Sequence, residues 1–503
     1  MNHLEFVQTV TVIVFILFAI AMVLIGISSF RKVKSIDSFL IGGRNIGGWL
    51  SAFAYGTSYF SAVIFVGYAG KHGWDVGIGA MWIGVGNAVL GCFLSWKLLA
   101  KRTRDMTHKL KAKTMPEFFG ARYKSRNMKI CSALIIFIFL VPYSSAVYKG
   151  LGYTFNTIFP SISVNFCMLA IAVLTAVYLI LGGYVATAYT DFIQGLIMIA
   201  GIICMVIAII RTDAVGGLTE GLARLAAIPD NGDGITGSQL TSLWGGDSWR
   251  FLCVNILLTS FGTWGLPQMV NKFYAVKDDK AIKQATIIST VFCLIIGVGA
   301  YATGAFSRLV LGNKLPEAGH DGVIPSMLME ALNGNTYTII ILAVIVILLF
   351  SASMSTLSAI VLSSSSAVSV DLLPEFRKSF GGKQQMSLTR ALCLLFIALS
   401  FVFATMNISI IVNIMSFSWG VVAGCFIGPY VWGLFSERTT KAGAACGMLG
   451  GLLTVGIPTI IITASSGFPA AVAFAPEMGV VAMAVSIAIV PIVSKINNRW
   501  RIS

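Results

Sequence analysis

The chain has 503 residues, of which 57% are hydrophobic and only 11% are charged, and its formal net charge is +15 at pH 7. This composition excludes a water-soluble globular protein, because too few polar side chains are available to cover a surface that faces water. We therefore expect a polytopic membrane protein.

Membrane-spanning helices need about 20 predominantly apolar residues. Thirteen stretches of the chain meet this requirement, and they occupy residues 7–30, 48–70, 76–99, 129–158, 164–181, 186–210, 249–271, 284–308, 338–366, 389–405, 409–434, 442–464 and 469–493. The first stretch is too long for the apolar core of a signal peptide, so we expect it to be retained. The sequence predicts one all-α integral membrane domain over residues 1–503, with 13 transmembrane helices.

The basic residues predict the orientation of these helices. Most of the 35 lysine and arginine residues fall in loops that thirteen spans would bring to one side of the membrane, at 31–44, 97–129, 272–283, 377–390, 438–441 and 495–501. Cytoplasmic loops are enriched in basic residues, which predicts an external N-terminus, a cytoplasmic C-terminus and a bacterial-type inner membrane. Contact with anionic lipid accounts for the positive charge, so no nucleic-acid partner is expected.

Two predicted helices contain sequence that disfavours a continuous α-helix. The second includes "FAYGTSYFSA" with Gly56, and the seventh includes "TSFGTWGLPQ" with Gly262, Gly265 and Pro267. Glycine and proline both destabilise a helix interior. Freed carbonyl groups are tolerated in a membrane only where they are buried in protein or line a wet cavity, so this matched pair favours two opened helices. The alternative is that the glycines permit close helix packing.

The ninth predicted helix carries an unusual density of hydroxyl groups in "LLFSASMSTLSAIVL". Helical periodicity puts Ala352, Ser355 and Thr356 on one stripe. The remaining hydroxyl residues of this segment should point elsewhere and bond to carbonyls of the preceding turn; they are Ser351, Ser353 and Ser358. Neutral oxygen ligands suit Na⁺ rather than a transition metal, so the stripe is a candidate cation site.

Several motifs resemble those of the sodium/solute symporter family. They are "DSFLIGGRNIGGWLSAFAYGTSYFSA" at the second helix, "GGYVATAYTDFIQG" before the sixth and "SMSTLSA" in the ninth. The similarity extends over about 35–495. Within the family, "GLPQMVNKFYAVKDDKAIKQA" and "VIPSMLMEAL" are most similar to the sodium/proline and sodium/pantothenate branch.

The resemblance implies a leucine-transporter-type five-plus-five inverted repeat. The first repeat would occupy 48–210 and the second 249–434. One extra helix, 7–30, would precede the repeats, and two extra C-terminal helices, 442–493, would follow them.

The resemblance also implies a sodium site. Its ligands would be carbonyl groups of the first broken helix and the carbonyl and hydroxyl groups of the ninth; the matching residues are Thr57, Phe60, Ala352, Ser355 and Thr356. A second sodium in some members uses a serine where this chain has Ala359, so we expect one Na⁺ per cycle. Asp191 matches a carboxylate that could receive Na⁺ as it leaves inward. Alternatively, Asp191 is an acidic residue favoured near a helix N-terminus.

The solute-binding residues implied by the resemblance are less well defined. The candidates are Ser61, Val63, Tyr143, Thr259, Thr263, Trp264, Ser418 and Trp419, with Asn255 as a further polar candidate. Val63 and Thr259 stand where proline transporters have tryptophans, and Tyr59 stands where they have an acidic residue. For each of the polar candidates, Ser61, Thr263, Ser418 and Asn255, the alternative is a helix-helix contact, which is the more common role of such residues. Lys149 could pair with a substrate carboxylate or extend to the membrane interface.

The expected function is Na⁺-coupled uptake of a small organic solute by alternating access. The solute would be an amino acid such as proline or a small carboxylate such as pantothenate, and a sugar or sialic acid is the alternative within the family. The expected partners are this solute, Na⁺ and membrane lipid, with no obligatory protein partner evident. A cation channel is the alternative from another class, although the sequence has no filter-like repeat. An enzyme is not expected, because all four histidines, His3, His72, His108 and His320, fall at termini or in predicted loops.

Overall fold

A computed structural model describes residues 3–30, 35–332, 336–376 and 382–500. Within these ranges the chain is helical and contains no β-strand; its single isolated bridge joins Ile46 to Val276. Three of the predicted basic loops, 31–44, 377–390 and 495–501, lie partly outside the described residues, at 31–34, 377–381 and 501.

The first part of the chain, up to the longest helix, forms nine α-helices. They are α1 (His3–Phe30), α2 (Ile36–Ile41), α3 (Gly48–Tyr59), α4 (Ala69–Val76), α5 (Met81–Gly86), α6 (Lys101–Leu110), α7 (Met115–Arg122), α8 (Arg126–Ile158) and α9 (Val164–Ile210). Wider helical turns connect some of them, at Val63–Tyr68, Asn87–Phe93 and Trp96–Ala100.

The remainder of the described chain is also helical. Its helices are α10 (Leu218–Ala226), α11 (Gly237–Leu240), α12 (Trp249–Gly265), α13 (Pro267–Ala275), α14 (Asp279–Ala305), α15 (Ser307–Val310), α16 (Val323–Leu332), α17 (Thr336–Ser366), α18 (Gly382–Thr405), α19 (Ile411–Phe435), α20 (Lys441–Ser466), α21 (Phe468–Ala473) and α22 (Ala475–Trp500).

Ten helices among the described residues are long and apolar enough to cross a membrane. The protein is therefore a multi-pass membrane protein. Three of the thirteen predicted stretches, 48–70, 164–181 and 249–271, do not appear among the ten as separate spans. The first and third are interrupted, and the second is continuous with the helix that follows it.

The two predicted helix openings are confirmed: the first lies beyond Gly56, whereas the second lies between Gly265 and Pro267, among the residues expected to cause it. α3 ends at Tyr59, and Phe60 has the extended dihedral angles φ −107° and ψ 118°. The second opening is at Leu266, immediately before Pro267 starts α13. Gly56 remains helical. Its missing side chain makes room for Phe292, because a Cβ atom there would lie 2.4 Å from the Phe292 ring.

The longest helix, α9, changes direction at Gly183. This residue has φ 53° and ψ −154°, values that an L-residue with a side chain rarely adopts. A Cβ atom at this position would also lie 2.4 Å from the Phe39 ring. The change of direction separates the predicted stretches 164–181 and 186–210.

α17 lies at the centre of the bundle. It packs against α8, α9, α1 and the broken helix that contains α3. Its hydroxyl-bearing segment is buried, including Ser351, Ser353, Ser355 and Thr356. These hydroxyl groups therefore face protein rather than lipid.

Candidate functional site

Two hydroxyl groups of α17 reach across to the last turn of α3, immediately before that helix opens. The Ser355 hydroxyl donates a hydrogen bond to the Thr57 carbonyl at 3.0 Å, and the Thr356 hydroxyl lies 3.3 Å from the same oxygen. Thr356 also donates to the Ser58 carbonyl at 3.3 Å. The hydroxyl stripe and the opened helix, which were predicted separately from the sequence, therefore meet at one point.

The Ala352 carbonyl joins this cluster from α17 itself. It accepts hydrogen bonds from Ser355 at 2.9 Å and from Thr356 at 3.1 Å. Phe60 is the residue at which the broken helix opens, so its carbonyl no longer follows the helical direction. The structure thus brings Thr57, Ala352, Ser355 and Thr356 into contact and puts Phe60 at the adjoining break.

The donor atoms of this cluster suit a small, hard cation. Carbonyl and hydroxyl oxygens are ligands that such cations prefer. Each hydroxyl group now donates its proton to a carbonyl, but a hydroxyl can rotate and present a lone pair instead. An ion at this point would replace those protons between the facing oxygens. The cluster therefore contains donor atoms that could exchange internal hydrogen bonds for cation ligation.

Two of the surrounding serines differ from the sequence prediction, and the first is Ser351, whose buried hydroxyl has no hydrogen-bond partner among the described residues. Ser358 bonds back to the Ser355 carbonyl at 2.9 Å, as expected. Ser353 does not bond to its own helix: its hydroxyl oxygen accepts a hydrogen bond at 3.0 Å from the backbone N–H of Ala62, beyond the break. The prediction for Ser353 was wrong because an opened helix leaves backbone N–H groups that need acceptors. Ser353 and Ser355 thus bind opposite sides of the opening.

Asp191 lies on α9 one turn before Gly195, which packs against Thr57, and it is completely buried. It is not in the first turn after the Gly183 kink, so the helix-terminus explanation of its charge does not apply. Its nearest charged partner is Lys272 of α13, whose Nζ lies 3.6 Å from a carboxylate oxygen. Lys272 was not predicted from the sequence as a site residue. The local sequence indicates only that a lysine occurs in the mostly apolar segment that follows the second helix opening.

Aromatic residues surround the first helix opening on the side of α8 and α19. Trp419 stacks on Tyr59, with ring centroids 6.2 Å apart, and meets Tyr143 edge to face at 5.7 Å. The Tyr143 hydroxyl lies beside the side chain of Ser61. Gly262 accommodates the indole, because a Cβ atom there would be 2.8 Å from Trp419. Three of the predicted solute-binding residues, Ser61, Tyr143 and Trp419, are therefore neighbours.

Other solute-binding candidates make contacts between helices. The Thr259 hydroxyl donates to Asn87 at 2.7 Å, and the Thr263 hydroxyl donates to the Gly91 carbonyl at 3.0 Å. The half-buried Trp264 donates from Nε1 to the Leu90 carbonyl at 3.0 Å. These three bonds fix α12 to the helical segment Asn87–Phe93.

Two more candidates lie near the break but point in different directions. Ser418 donates its hydroxyl proton to the Phe139 carbonyl of α8. Val63 begins the wider helical turn after the break and is buried; its N–H group donates to the Ser61 hydroxyl at 3.2 Å. Ser418 is thus a helix-helix contact, whereas Val63 belongs to the opening itself.

Lys149 neither extends to the membrane interface nor remains available to a substrate. It forms a buried ion pair with Asp321 at 3.1 Å and donates to the Ser409 carbonyl at 2.5 Å. Both Asp321 oxygens also accept from the Ile411 N–H at the start of α19. Burial raises the pKa of the Asp321 carboxyl, and the Lys149 ammonium opposes that effect. The pair fastens α8 to the start of α19.

Comparison with known proteins gives the family of this chain. The Sodium:solute symporter family model matches residues 39–451, and the chain belongs to that family. The sodium/proline symporter of Salmonella typhimurium is 28% identical over 457 residues, which cover 89% of this chain and 88% of the relative. The osmoregulated proline transporter OpuE of Bacillus subtilis is 28% identical over 456 residues, covering 90% and 88%.

A solved structure shares the fold over almost the whole chain. It is a Na⁺-coupled sialic acid symporter in a substrate-bound outward-open state, and it matches with a TM-score of 0.78 over 97% of each chain. The sequence identity is 19%. The likeness shows that the two chains have the same overall fold.

Proposed function

We propose that this protein is a secondary transporter that couples inward movement of Na⁺ to uptake of a small organic solute. The observation that carries the proposal is the contact between the Ser355 and Thr356 hydroxyls and the Thr57 carbonyl at the opened helix. Membership of a symporter family supports it. Na⁺ is cargo here and is bound and released in every cycle.

The proposed ligands of Na⁺ are the carbonyl oxygens of Thr57, Phe60 and Ala352 and the hydroxyl oxygens of Ser355 and Thr356. Four of these residues are in mutual contact, and all five are buried. Ala359, which stands where some family members have a serine that binds a second Na⁺, has no side-chain oxygen. We therefore propose one Na⁺ per transport cycle.

The proposed solute pocket adjoins the same helix opening. Ser61, Tyr143 and Trp419 would provide its polar and aromatic walls, with Val63 beside them. Thr259, Thr263, Trp264 and Ser418 would act indirectly, through the helix contacts that they make.

Proline is the proposed solute, because sodium/proline symporters are similar to this chain over nearly its whole length. The residues at Tyr59, Val63 and Thr259 depart from the pattern expected of proline transporters. Pantothenate is consequently the second candidate, and a sugar or sialic acid is the third.

The proposed architecture is a 13-helix, N-outside arrangement in a bacterial-type inner membrane. Two inverted five-helix repeats, 48–210 and 249–434, would follow one extra helix at 7–30, and two extra helices at 442–493 would end the bundle. The openings at Phe60 and Leu266 support this division, since each interrupts the first helix of a proposed repeat.

Coupling would arise because one helix opening contacts both ligands. Na⁺ bound between α17 and α3 would fix the backbone on which Ser61 and Val63 stand, and the solute would in turn favour the arrangement that binds Na⁺. Each ligand must then raise the affinity for the other by the same factor. This is the requirement for symport by alternating access.

Uptake into proteoliposomes tests this function and separates it from a channel. We expect saturable uptake of radiolabelled proline, with pantothenate and sialic acid as comparison solutes, that requires an inward Na⁺ gradient. Sodium current without saturable co-uptake of any of these solutes would support a channel and contradict the proposal.

A further inference from the structure

The carboxylate of Asp191 and the ammonium of Lys272 form a buried pair with unusual geometry. The two side chains are 0% and 3% exposed, and their closest N–O distance is 3.6 Å. Neither Asp191 oxygen has a hydrogen-bond partner among the described residues. A buried carboxylate is costly unless it is both paired and hydrogen-bonded. Lys272 therefore supplies charge compensation without closing a tight hydrogen-bonded contact.

The Lys272 ammonium also lies over an aromatic ring. Its Nζ is 5.1 Å from the centroid of Tyr184, a distance at which a cation is attracted to the ring face. Tyr184 and Asp191 both belong to the part of α9 that follows the Gly183 kink. The ammonium is thus held between one carboxylate and one ring of the same helix.

The pair lies close to the proposed sodium site. Gly195, one helical turn after Asp191, packs directly against α3; a Cβ atom there would be 2.2 Å from Phe53 and 3.1 Å from the side chain of Thr57. One turn of helix corresponds to about 5.4 Å along the axis. The backbone of Asp191 therefore lies about one helical turn from a residue that packs against Thr57, one of the proposed Na⁺ ligands.

The two members of the pair belong to different proposed repeats, with Asp191 in the first and Lys272 in the second. Lys272 is on α13, and its neighbour Asn271 donates to the Ser363 hydroxyl of α17 at 3.4 Å. Ser363 lies two turns beyond Thr356 on the helix that supplies the hydroxyl ligands. Lys272 therefore pairs with α9 through Asp191, and its neighbour Asn271 bonds to α17 through Ser363.

We propose that Lys272 is a tethered cation that occupies the Asp191 carboxylate and thereby keeps Na⁺ from binding there. The inference rests on the proposed function and adds a determinant of its ion stoichiometry. Na⁺ binds once, at the α3–α17 oxygens, and the carboxylate is neutralised by the protein. Asp191 is consequently not a resting point for Na⁺ while Lys272 is present.

Equilibrium binding of ²²Na⁺ to the purified full-length protein tests this proposal. The wild-type protein binds one Na⁺. Lys272→Met retains side-chain length but removes the charge. The Asp191 carboxylate of this variant then binds a Na⁺, and the stoichiometry rises to two Na⁺ per protein. Lys272→Arg is the matched control with a retained charge, and its stoichiometry remains one. One bound Na⁺ in Lys272→Met would overturn the proposal.

A double variant keeps the test valid if Lys272→Met does not fold. Lys272→Met with Asp191→Asn has no uncompensated buried charge. We expect it to bind one Na⁺ with a dissociation constant within about threefold of the wild-type value. A loss of affinity greater than about tenfold would mean that Asp191 itself binds Na⁺ and would overturn the proposal.

A third measurement separates this proposal from the proposed function. In a Ser355→Ala/Thr356→Val background, the α3–α17 site is weakened while the pair is intact. Adding Lys272→Met to that background should restore one bound Na⁺, now at Asp191; failure to restore it would count against the tethered-cation role. If the wild-type protein binds no Na⁺ at all, the proposed function fails, whatever Lys272 does.

Discussion

Removing the two hydroxyl groups of α17 should sharply raise the Na⁺ concentration required for transport. In Ser355→Ala/Thr356→Val the backbone carbonyls of Thr57 and Ala352 remain, but both side-chain oxygens that meet them are lost. Valine preserves the branched shape of threonine, so the packing changes little. The variant tests the hydroxyl oxygens and leaves the helix opening in place.

The magnitude follows from the number of oxygens removed. A hydrogen bond or dipole contact to a charged group contributes about 1.5–3 kcal/mol. Two such contacts amount to about 3 kcal/mol at the lower bound, which corresponds to a factor of roughly 100 in the Na⁺ dissociation constant. In the Na⁺-free protein the same substitutions should lower the free energy of unfolding by about 2 kcal/mol, at about 1 kcal/mol for each lost hydroxyl group.

The assay is solute uptake into proteoliposomes as a function of external Na⁺. Ser358→Ala is the matched control, because its hydroxyl lies on the same helix and bonds only to the Ser355 carbonyl. We expect the control to keep the wild-type Na⁺ dependence. A double variant that folds, transports and reaches half-maximal uptake within about threefold of the wild-type Na⁺ concentration would refute the assignment.

Three further predictions concern packing, an ion pair and energetics. Gly451→Ala should lower the melting temperature and cost about 1–3 kcal/mol of unfolding free energy, because the new Cβ would lie 2.1 Å from the Gly424 carbonyl. Gly456→Ala on the same helix is the control: its Cβ would meet nothing within 4 Å, so the melting temperature should not fall. Lys149→Met and Asp321→Asn should each destabilise the protein by about 3–5 kcal/mol, and the double variant should cost less than their sum, as measured by a thermal-unfolding double-mutant cycle. With one Na⁺ per cycle, a 100 mV potential supplies about 2.3 kcal/mol and a tenfold Na⁺ gradient about 1.4 kcal/mol; vesicles should therefore accumulate a zwitterionic solute several-hundredfold, and accumulation of only about tenfold would mean an electroneutral cycle.

The sequence was most informative where chemistry and periodicity coincided. Ser355 and Thr356 lie on one helical stripe with Ala352, and the structure brings that stripe to the α3 opening. The location of the opening was less accurate. Gly56 was expected to break the helix, but it is used to admit the Phe292 ring, and the break occurs at Phe60. A glycine permits both outcomes, and only the three-dimensional neighbours select one.

Contacts between distant segments could not be predicted from local pattern. Lys272 meets Asp191, and Lys149 meets Asp321, only after several helices have packed. Ser353 was misassigned for a related reason: its usual partner in a helix is a carbonyl of its own preceding turn, but here a free N–H group at Ala62 competes. Helical periodicity predicts the helix face on which a residue lies, whereas the partner of that residue depends on which helix packs against that face.

The most direct test of the account is an experimental structure of the protein in saturating Na⁺, paired with one in which choline replaces Na⁺. In the Na⁺ structure we predict a single ion density between α3 and α17, with the Thr57 and Ala352 carbonyl oxygens and the Ser355 and Thr356 hydroxyl oxygens directed toward it. In the choline structure we predict no such density. Hydroxyl groups that still donate to those carbonyls in saturating Na⁺, in a preparation that transports solute, would contradict the account.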